Sequence, residues 1–178
     1  GDMTMSPKTV LLADDEQTLR MNLAEVLREE GFDVIACADG QEALKALKAN
    51  SIDVLITDLR KPGLSGMDLI DRTRTLAPSA GIIVITAFGE VETAVEAMKK
   101  GAKDYLCKPL NFDELIFKLK QLLAHEDLAR QNELMKQQLR QGSDSTEIVA
   151  RSSVMNALLD TIQLIWQTMS NVLLCVES

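Results

Sequence analysis

Five short apolar runs alternate with amphipathic segments along most of this chain, and no other feature constrains its fold as strongly. The runs cover residues 9–13, 32–36, 52–57, 81–86 and 104–106. After each run, apolar residues recur at the spacing that predicts a helix. Strand–helix units repeated in this way are joined by right-handed crossovers. We therefore expect an α/β fold in which one parallel sheet carries helices on both faces.

Polar side chains stand where four of these five predicted strands end. In an open parallel sheet, the ligand crevice lies outside the carboxyl ends of the strands. The second run is followed only by Cys37 and Ala38, which predicts an edge position for its strand. We expect five polar side chains from distant parts of the chain to converge at one sheet edge, namely Asp14, Asp15, Asp58, Thr86 and Lys108.

The chemistry of this set favours phosphoryl transfer. Asp58 alone fits a loop-capping residue as well as a reactive carboxylate, but its expected neighbours favour the second interpretation. Three carboxylates held together repel one another, and Mg²⁺, which prefers oxygen ligands, relieves that repulsion. The amine of Lys108 and the hydroxyl of Thr86 suit phosphoryl oxygens, while Asp58 attacks in line. The set thus predicts a Mg²⁺ site formed by Asp14, Asp15 and Asp58.

The same residues carry a resemblance to response-regulator receiver domains of two-component signalling. The resemblance extends over about residues 8–124 and implies a flavodoxin-like (CheY-like) sheet with strand order 2-1-3-4-5. It also implies that a sensor histidine kinase phosphorylates the acceptor. The residues that carry it are Asp14-Asp15, Asp58, Thr86, Tyr105 and Lys108-Pro109.

Further details of the site follow from the resemblance alone. It implies that the backbone carbonyl of Arg60 completes the Mg²⁺ site and that the peptide bond before Pro109 is cis. It also implies a switch in which Thr86 turns toward the aspartyl phosphate and the Tyr105 ring fills the vacated space. The sequence departs from the family at Lys61, where methionine usually precedes the proline. This lysine puts a second cation near the site and can alter the lifetime of the phosphoryl group.

Two segments narrow the resemblance to one branch. Residues 85–102 and 148–155 are similar to NtrC-like transcriptional activators that work with sigma-54 polymerase. In that branch the second segment opens an ATPase domain of the AAA+ type. Val176 stands where the family has the first glycine of the phosphate-binding loop, and the sequence does not reach the lysine of that loop. We therefore expect no ATP hydrolysis or nucleotide binding by this chain, and its net charge of −8 argues against DNA binding.

The expected organisation has four parts: a flexible tail at residues 1–7, a receiver domain at 8–124, a linker helix at 125–145 and the truncated start of an AAA+ domain at 146–178. The apolar run at 172–176 predicts one more strand. The helix expected at 111–141 predicts a homodimer contact, because its second half has no core to lie on. Its polar seam fits a solvated helix equally well.

Composition indicates the compartment. No apolar run reaches membrane-spanning length, and no signal peptide is visible. The three cysteines, Cys37, Cys107 and Cys175, are far apart and fit no metal or redox spacing. We expect a cytoplasmic protein whose cysteines act as small apolar residues.

Other classes of protein share parts of this pattern. A Mg²⁺-dependent phosphatase of the haloacid-dehalogenase type has the motif Asp-x-Asp at its first strand. In this chain Glu16, and not aspartate, stands two residues after Asp14. A dinucleotide-binding domain needs a glycine-rich turn after the first strand, and residues 13–16 contain no glycine. A structural interaction module with a decayed site would also keep this fold, although none of the five polar residues indicates decay.

Overall fold

The computed structural model describes residues 6–61, 63–87, 89–142 and 147–176. The chain divides into two compact units, residues 1–127 and 128–178. Strands and helices alternate through the first unit, and the second unit contains the end of the fifth helix and the sixth helix. The elements are β1 (Thr9–Ala13), α1 (Gln17–Glu29), β2 (Asp33–Cys37), α2 (Gly40–Ala49), β3 (Val54–Asp58), α3 (Gly66–Leu76), β4 (Gly81–Thr86), α4 (Val91–Lys100), β5 (Asp104–Cys107), α5 (Phe112–Gly142) and α6 (Glu147–Val176).

The five strands form one parallel sheet in the order β2-β1-β3-β4-β5. This order confirms the predicted flavodoxin-like topology and the edge position of the second strand. β3 lies between β1 and β4, with Ala13 opposite Thr57 and Asp58 opposite Ile85. The central strands therefore end side by side, at the edge where the polar residues were expected.

Apolar side chains cover both faces of the sheet. Alternate residues of each central strand point into different clusters, so that Leu12 and Ile56 pack with α1 and α5, whereas Leu11 and Leu55 pack with α2, α3 and α4. All four side chains are fully buried. Burying one aliphatic side chain of this size contributes about 1.5–3 kcal/mol. The two clusters thus hold the strand ends in a fixed frame.

Polar side chains cap the first turns of α2 and α5. The Asp39 side chain accepts a hydrogen bond from the backbone N–H of Glu42 at the start of α2. Asn111 Oδ1 accepts a hydrogen bond from the backbone N–H of Glu114 at the start of α5. Each cap satisfies a backbone donor that the first helical turn leaves free.

The predicted strand at residues 172–176 is wrong, because these residues continue α6. A strand needs a neighbour to satisfy its backbone groups, whereas a helix satisfies them internally. The side chains of residues 153–173 are exposed. Residues 1–5 of the expected tail and 143–146 of the expected linker lie outside the described residues. Among the described helices, none combines the length and the hydropathy that a membrane span requires.

Candidate functional site

Four parallel strands place the polar residues at one edge of the sheet. Asp14 follows β1 directly, Asp58 ends β3, and Thr86 ends β4. Lys108 follows β5, and its backbone N–H donates to the Thr86 carbonyl at 2.8 Å. This bond continues the β4–β5 pairing by one residue. The parallel register therefore brings together residues that lie up to 94 positions apart in the sequence.

Three carboxylates form the centre of the site. One oxygen from each of Asp14, Asp15 and Asp58 lies within 4.8 Å of the others. Asp14 and Asp58 are buried, and Asp15 is exposed. Burial raises the pKa of Asp14, although a hydrogen bond from the Glu16 backbone and the charge of Lys108 oppose the shift. The cluster thus concentrates negative charge on two buried carboxylates and one exposed carboxylate.

The cluster fits a hard divalent cation. Asp14 Oδ1 accepts from the Glu16 backbone N–H at 2.8 Å, but its Oδ2 is buried without a hydrogen-bond partner. A buried carboxylate oxygen without a donor is costly, and a metal ion would compensate it. Carboxylate oxygens are the ligands that Mg²⁺ prefers. The backbone N–H of Arg60 donates to Asp58 Oδ1 at 2.9 Å; the role of the Arg60 carbonyl as a further ligand stays a prediction.

Lys108 contacts the carboxylate cluster directly. Its Nζ lies 2.7 Å from Asp58 Oδ2, and 3.6 Å from both Asp14 Oδ2 and Glu16 Oε2. Burial alone would lower the pKa of Lys108, but the hydrogen bond to Asp58 and the neighbouring negative charges outweigh it and raise that pKa. The peptide bond between Lys108 and Pro109 is cis. Lys108 is therefore a charged donor in direct contact with the expected acceptor.

Thr86 and Tyr105 lie on neighbouring strands. Thr86 is buried, and its Oγ1 lies 3.6 Å from Cys107 Sγ. Tyr105 is half-buried and packs against the cluster beneath α2, α3 and α4. The contact with Cys107 was not predicted, although the expected pairing of the fourth and fifth strands would have indicated it. The movement of Thr86 and Tyr105 stays a prediction.

Lys61 makes a contact that its sequence position does not reveal. Its amine donates a hydrogen bond to the hydroxyl of buried Thr57. Burial lowers the pKa of Lys61 to about 8, against the opposing charges of Asp58 and Asp14. The second cation expected from the sequence is therefore half-buried and anchored within the electrostatic reach of the carboxylates.

Two loop contacts next to Asp58 were also not predicted. Arg60, after β3, forms an ion pair with Glu90, before α4. The second carboxylate oxygen of Glu90 is buried without a hydrogen-bond partner. Gly66, the first residue of α3, packs so closely that an added Cβ would lie 2.5 Å from the Asp58 carbonyl oxygen and 2.6 Å from Leu59 Cα. Both contacts depend on loop paths that apolar periodicity does not encode.

Comparison with known proteins agrees with this geometry. The family model described as the response regulator receiver domain matches residues 10–120. The transcriptional regulatory protein ZraR of Klebsiella oxytoca is 33% identical over 169 residues, which are 95% of this chain and 37% of that protein. The C4-dicarboxylate transport transcriptional regulatory protein DctD of Rhizobium meliloti is 30% identical over 176 residues, which are 99% of this chain and 38% of that protein. The chain thus spans well under half the length of these NtrC-like relatives.

Solved structures show the same fold. A response regulator receiver domain protein from Clostridium thermocellum is 33% identical with a TM-score of 0.64, and the match covers 68% of this chain and 98% of that one. The structure of NtrX from Brucella abortus is 29% identical with a TM-score of 0.69, over 72% of this chain and 29% of that one. Sequence and backbone comparisons therefore agree on the first unit.

Proposed function

The chain belongs to the response regulator receiver domain family, and from this premise we propose that Asp58 accepts a phosphoryl group from a sensor histidine kinase. One observation carries the proposal: Lys108 Nζ lies 2.7 Å from Asp58 Oδ2 beside the carboxylate cluster. A cation at that distance from the attacking oxygen would also contact a phosphoryl group bonded to it. A strand-ending aspartate that only caps a loop has no need of such a neighbour.

The transfer forms one bond and breaks another. A carboxylate oxygen of Asp58 bonds to the phosphorus of a phosphohistidine, and the P–N bond breaks with its electron pair left on the imidazole nitrogen, which then takes up a proton. Lys108 moves its hydrogen bond from Asp58 to a phosphoryl oxygen, and the Thr86 hydroxyl donates to a second one. These donors neutralise the charge that spreads over the phosphoryl oxygens during transfer.

The acidic residues would hold Mg²⁺ for this reaction. Asp14, Asp15 and Asp58 supply carboxylate oxygens, and the backbone carbonyl of Arg60 completes the set. Bound Mg²⁺ supplies further neutralisation of the phosphoryl charge. The support for this assignment is the buried oxygen of Asp14 that has no hydrogen-bond partner.

The output of the domain is a change of surface. The aspartyl phosphate draws Thr86 inward, and the Tyr105 ring turns into the space that Thr86 leaves. This movement reshapes the surface formed by α4, β5 and α5, where Val91 and Val95 are exposed apolar residues. In a full-length protein like the NtrC-like relatives, this surface would control sigma-54-dependent transcription in the cytoplasm.

We place the receiver domain at residues 8–124, a linker helix at 125–145 and the start of an AAA+ domain at 146–178. The second half of α5 then serves as a homodimer contact. The 178 residues contain no glycine-rich loop followed by the lysine that nucleotide phosphates require. We therefore propose a regulatory role for this chain, without ATPase activity of its own, and its net charge of −8 argues against DNA binding.

Labelling with a small phosphodonor tests the acceptor assignment. Acetyl phosphate with Mg²⁺ should give one acid-labile phosphoryl group per chain, measured by intact-protein mass spectrometry. Asp58→Asn should reduce that label to background, because an amide is a far poorer nucleophile than a carboxylate. Asp113→Asn is the matched control, since Asp113 is exposed in the first turn of α5. Full labelling of Asp58→Asn would contradict the proposal.

A further inference from the structure

We propose that Lys61 is a resident cation of the carboxylate cluster and that it competes electrostatically with the divalent metal. By this inference, Lys61 lowers the metal affinity of the site and so sets the metal concentration at which the site fills. The inference rests on the Mg²⁺ site of the proposed function and adds a residue that controls its occupancy.

The contacts of Lys61 hold its amine in place. The amine donates to the Thr57 hydroxyl, and that hydroxyl donates to the backbone carbonyl of Asp58 at 3.0 Å. Thr57 is fully buried and belongs to the same strand as the expected acceptor. A surface lysine loses most of its influence to solvent and to its own mobility. Lys61 keeps its influence because a buried partner anchors it.

Charge counting shows what this anchored amine does. Asp14, Asp15 and Asp58 bring three negative charges, of which Lys108 offsets one. Lys61 offsets a second. The net negative charge of the site is therefore about half of what it would be with an apolar residue at position 61, and the site attracts a dication less strongly. Even at the dielectric constant of water, a unit charge several ångströms from a divalent ion changes binding on the order of tenfold, and the change is larger in partly solvated protein. The direction is fixed by sign, because two cations repel each other.

Lys61 and Lys108 therefore have different roles. Lys108 lies within hydrogen-bond distance of Asp58 and is placed to contact a phosphoryl group. Lys61 bonds instead to Thr57, so it acts on the carboxylates through space. Removing Lys61 should leave the acceptor and its donors in place while the metal binds more tightly.

Calorimetric titration with MgCl₂ alone, at constant ionic strength, tests the inference without any phosphodonor. Lys61→Met should bind Mg²⁺ at least about tenfold more tightly than the wild type. Lys61→Gln, which keeps a polar end for Thr57, should show the same direction and guards against a repacking effect. Lys48→Met is the control: it removes the same charge from an exposed position in the last turn of α2, and its affinity should stay within twofold of the wild type.

A second readout uses thermal unfolding. A ligand that binds only the folded state raises the melting temperature, and at a fixed ligand concentration the rise is larger when the ligand binds more tightly. A fixed Mg²⁺ concentration should therefore raise the melting temperature of Lys61→Met more than that of the wild type or Lys48→Met, each relative to the same protein in chelator.

The outcomes separate the two proposals. Suppose that the wild type binds Mg²⁺ and takes label on Asp58, but both Lys61 variants bind Mg²⁺ equally or more weakly. This result would overturn the role of Lys61 and leave the proposed function standing. Absence of Mg²⁺ binding in the wild type and the variants would contradict the metal site itself, and with it this inference. Tighter binding in both Lys61 variants but not in Lys48→Met supports it.

Discussion

The two units of the chain make opposite use of their apolar residues. In the first unit, Leu55 and Ile83 are fully buried between the sheet and its helices. In the second, Leu164 is 67% exposed and Trp166 is 70% exposed on α6. Helical periodicity is therefore enough to form a helix but not a core, because an apolar face needs a second layer to cover it. The proposed site is built entirely from the unit in which that layer is present.

The largest expected effect tests this contrast directly. Leu55→Ala removes a fully buried side chain from the central strand and should lower the free energy of unfolding by about 2–5 kcal/mol. Leu164→Ala makes the same chemical change on the exposed surface of α6 and should cost less than about 0.5 kcal/mol. Urea unfolding followed by circular dichroism measures both. A similar loss of unfolding free energy in the two variants would show that α6 is covered in solution. The two units would then not differ in how they use their apolar residues.

A smaller effect tests whether close packing extends to the site. The Cβ of Gly66→Ala would meet the Asp58 carbonyl, so the strand that carries Asp58 must shift. We expect the free energy of unfolding to fall by about 1–3 kcal/mol. We also expect slower labelling of Asp58. In Gly63→Ala the Cβ meets nothing within 4 Å, but the backbone has φ +77°. That variant should cost about 1–2 kcal/mol from backbone strain. Its labelling rate should be unchanged; equal slowing in both variants would argue against a positioning role for Gly66.

The smallest effect on folding concerns the second unit. Leu128 and Met135 are exposed and lie seven residues apart on α5. If this stretch contacts a second copy, Leu128→Lys with Met135→Lys should shift the protein toward monomer in analytical ultracentrifugation, because buried lysines would face each other. Met21→Lys, at an exposed position of α1, should leave the mass distribution unchanged. An unaltered distribution in the double variant would show that this part of α5 is not the dimer contact.

Much of the first unit could be predicted from sequence, for a physical reason. Apolar runs of strand length alternate with helical periodicity, and parallel crossovers leave few possible arrangements. The edge position of β2 and the meeting of Asp14, Asp58 and Lys108 follow from that topology. Polar residues follow the predicted strands directly in the sequence. The location of the site could therefore be predicted without knowing any side-chain contact.

The remaining features depend on interactions that periodicity does not encode. The run at 172–176 is apolar and short, and such a run fits a strand or a helix until a neighbour decides between them. The anchoring of Lys61 by Thr57, the pairing of Arg60 with Glu90 and the approach of Gly66 to Asp58 are set by the paths of loops. Lys61 stands where the family usually has methionine, and this departure was the sequence signal that drew attention to position 61.

The assembly of the site from separate strand ends also has a consequence for how such a chain carries information. Asp58 meets its cation partner 50 residues further along the chain, and another carboxylate of the cluster lies 44 residues before it. No peptide cut from around Asp58 contains that arrangement, so the site that we propose as the acceptor exists only in the folded state and not in a linear motif. An unfolded chain would not take label from a phosphodonor. Phosphorylation of the chain would therefore also indicate that its cooperative folding is complete.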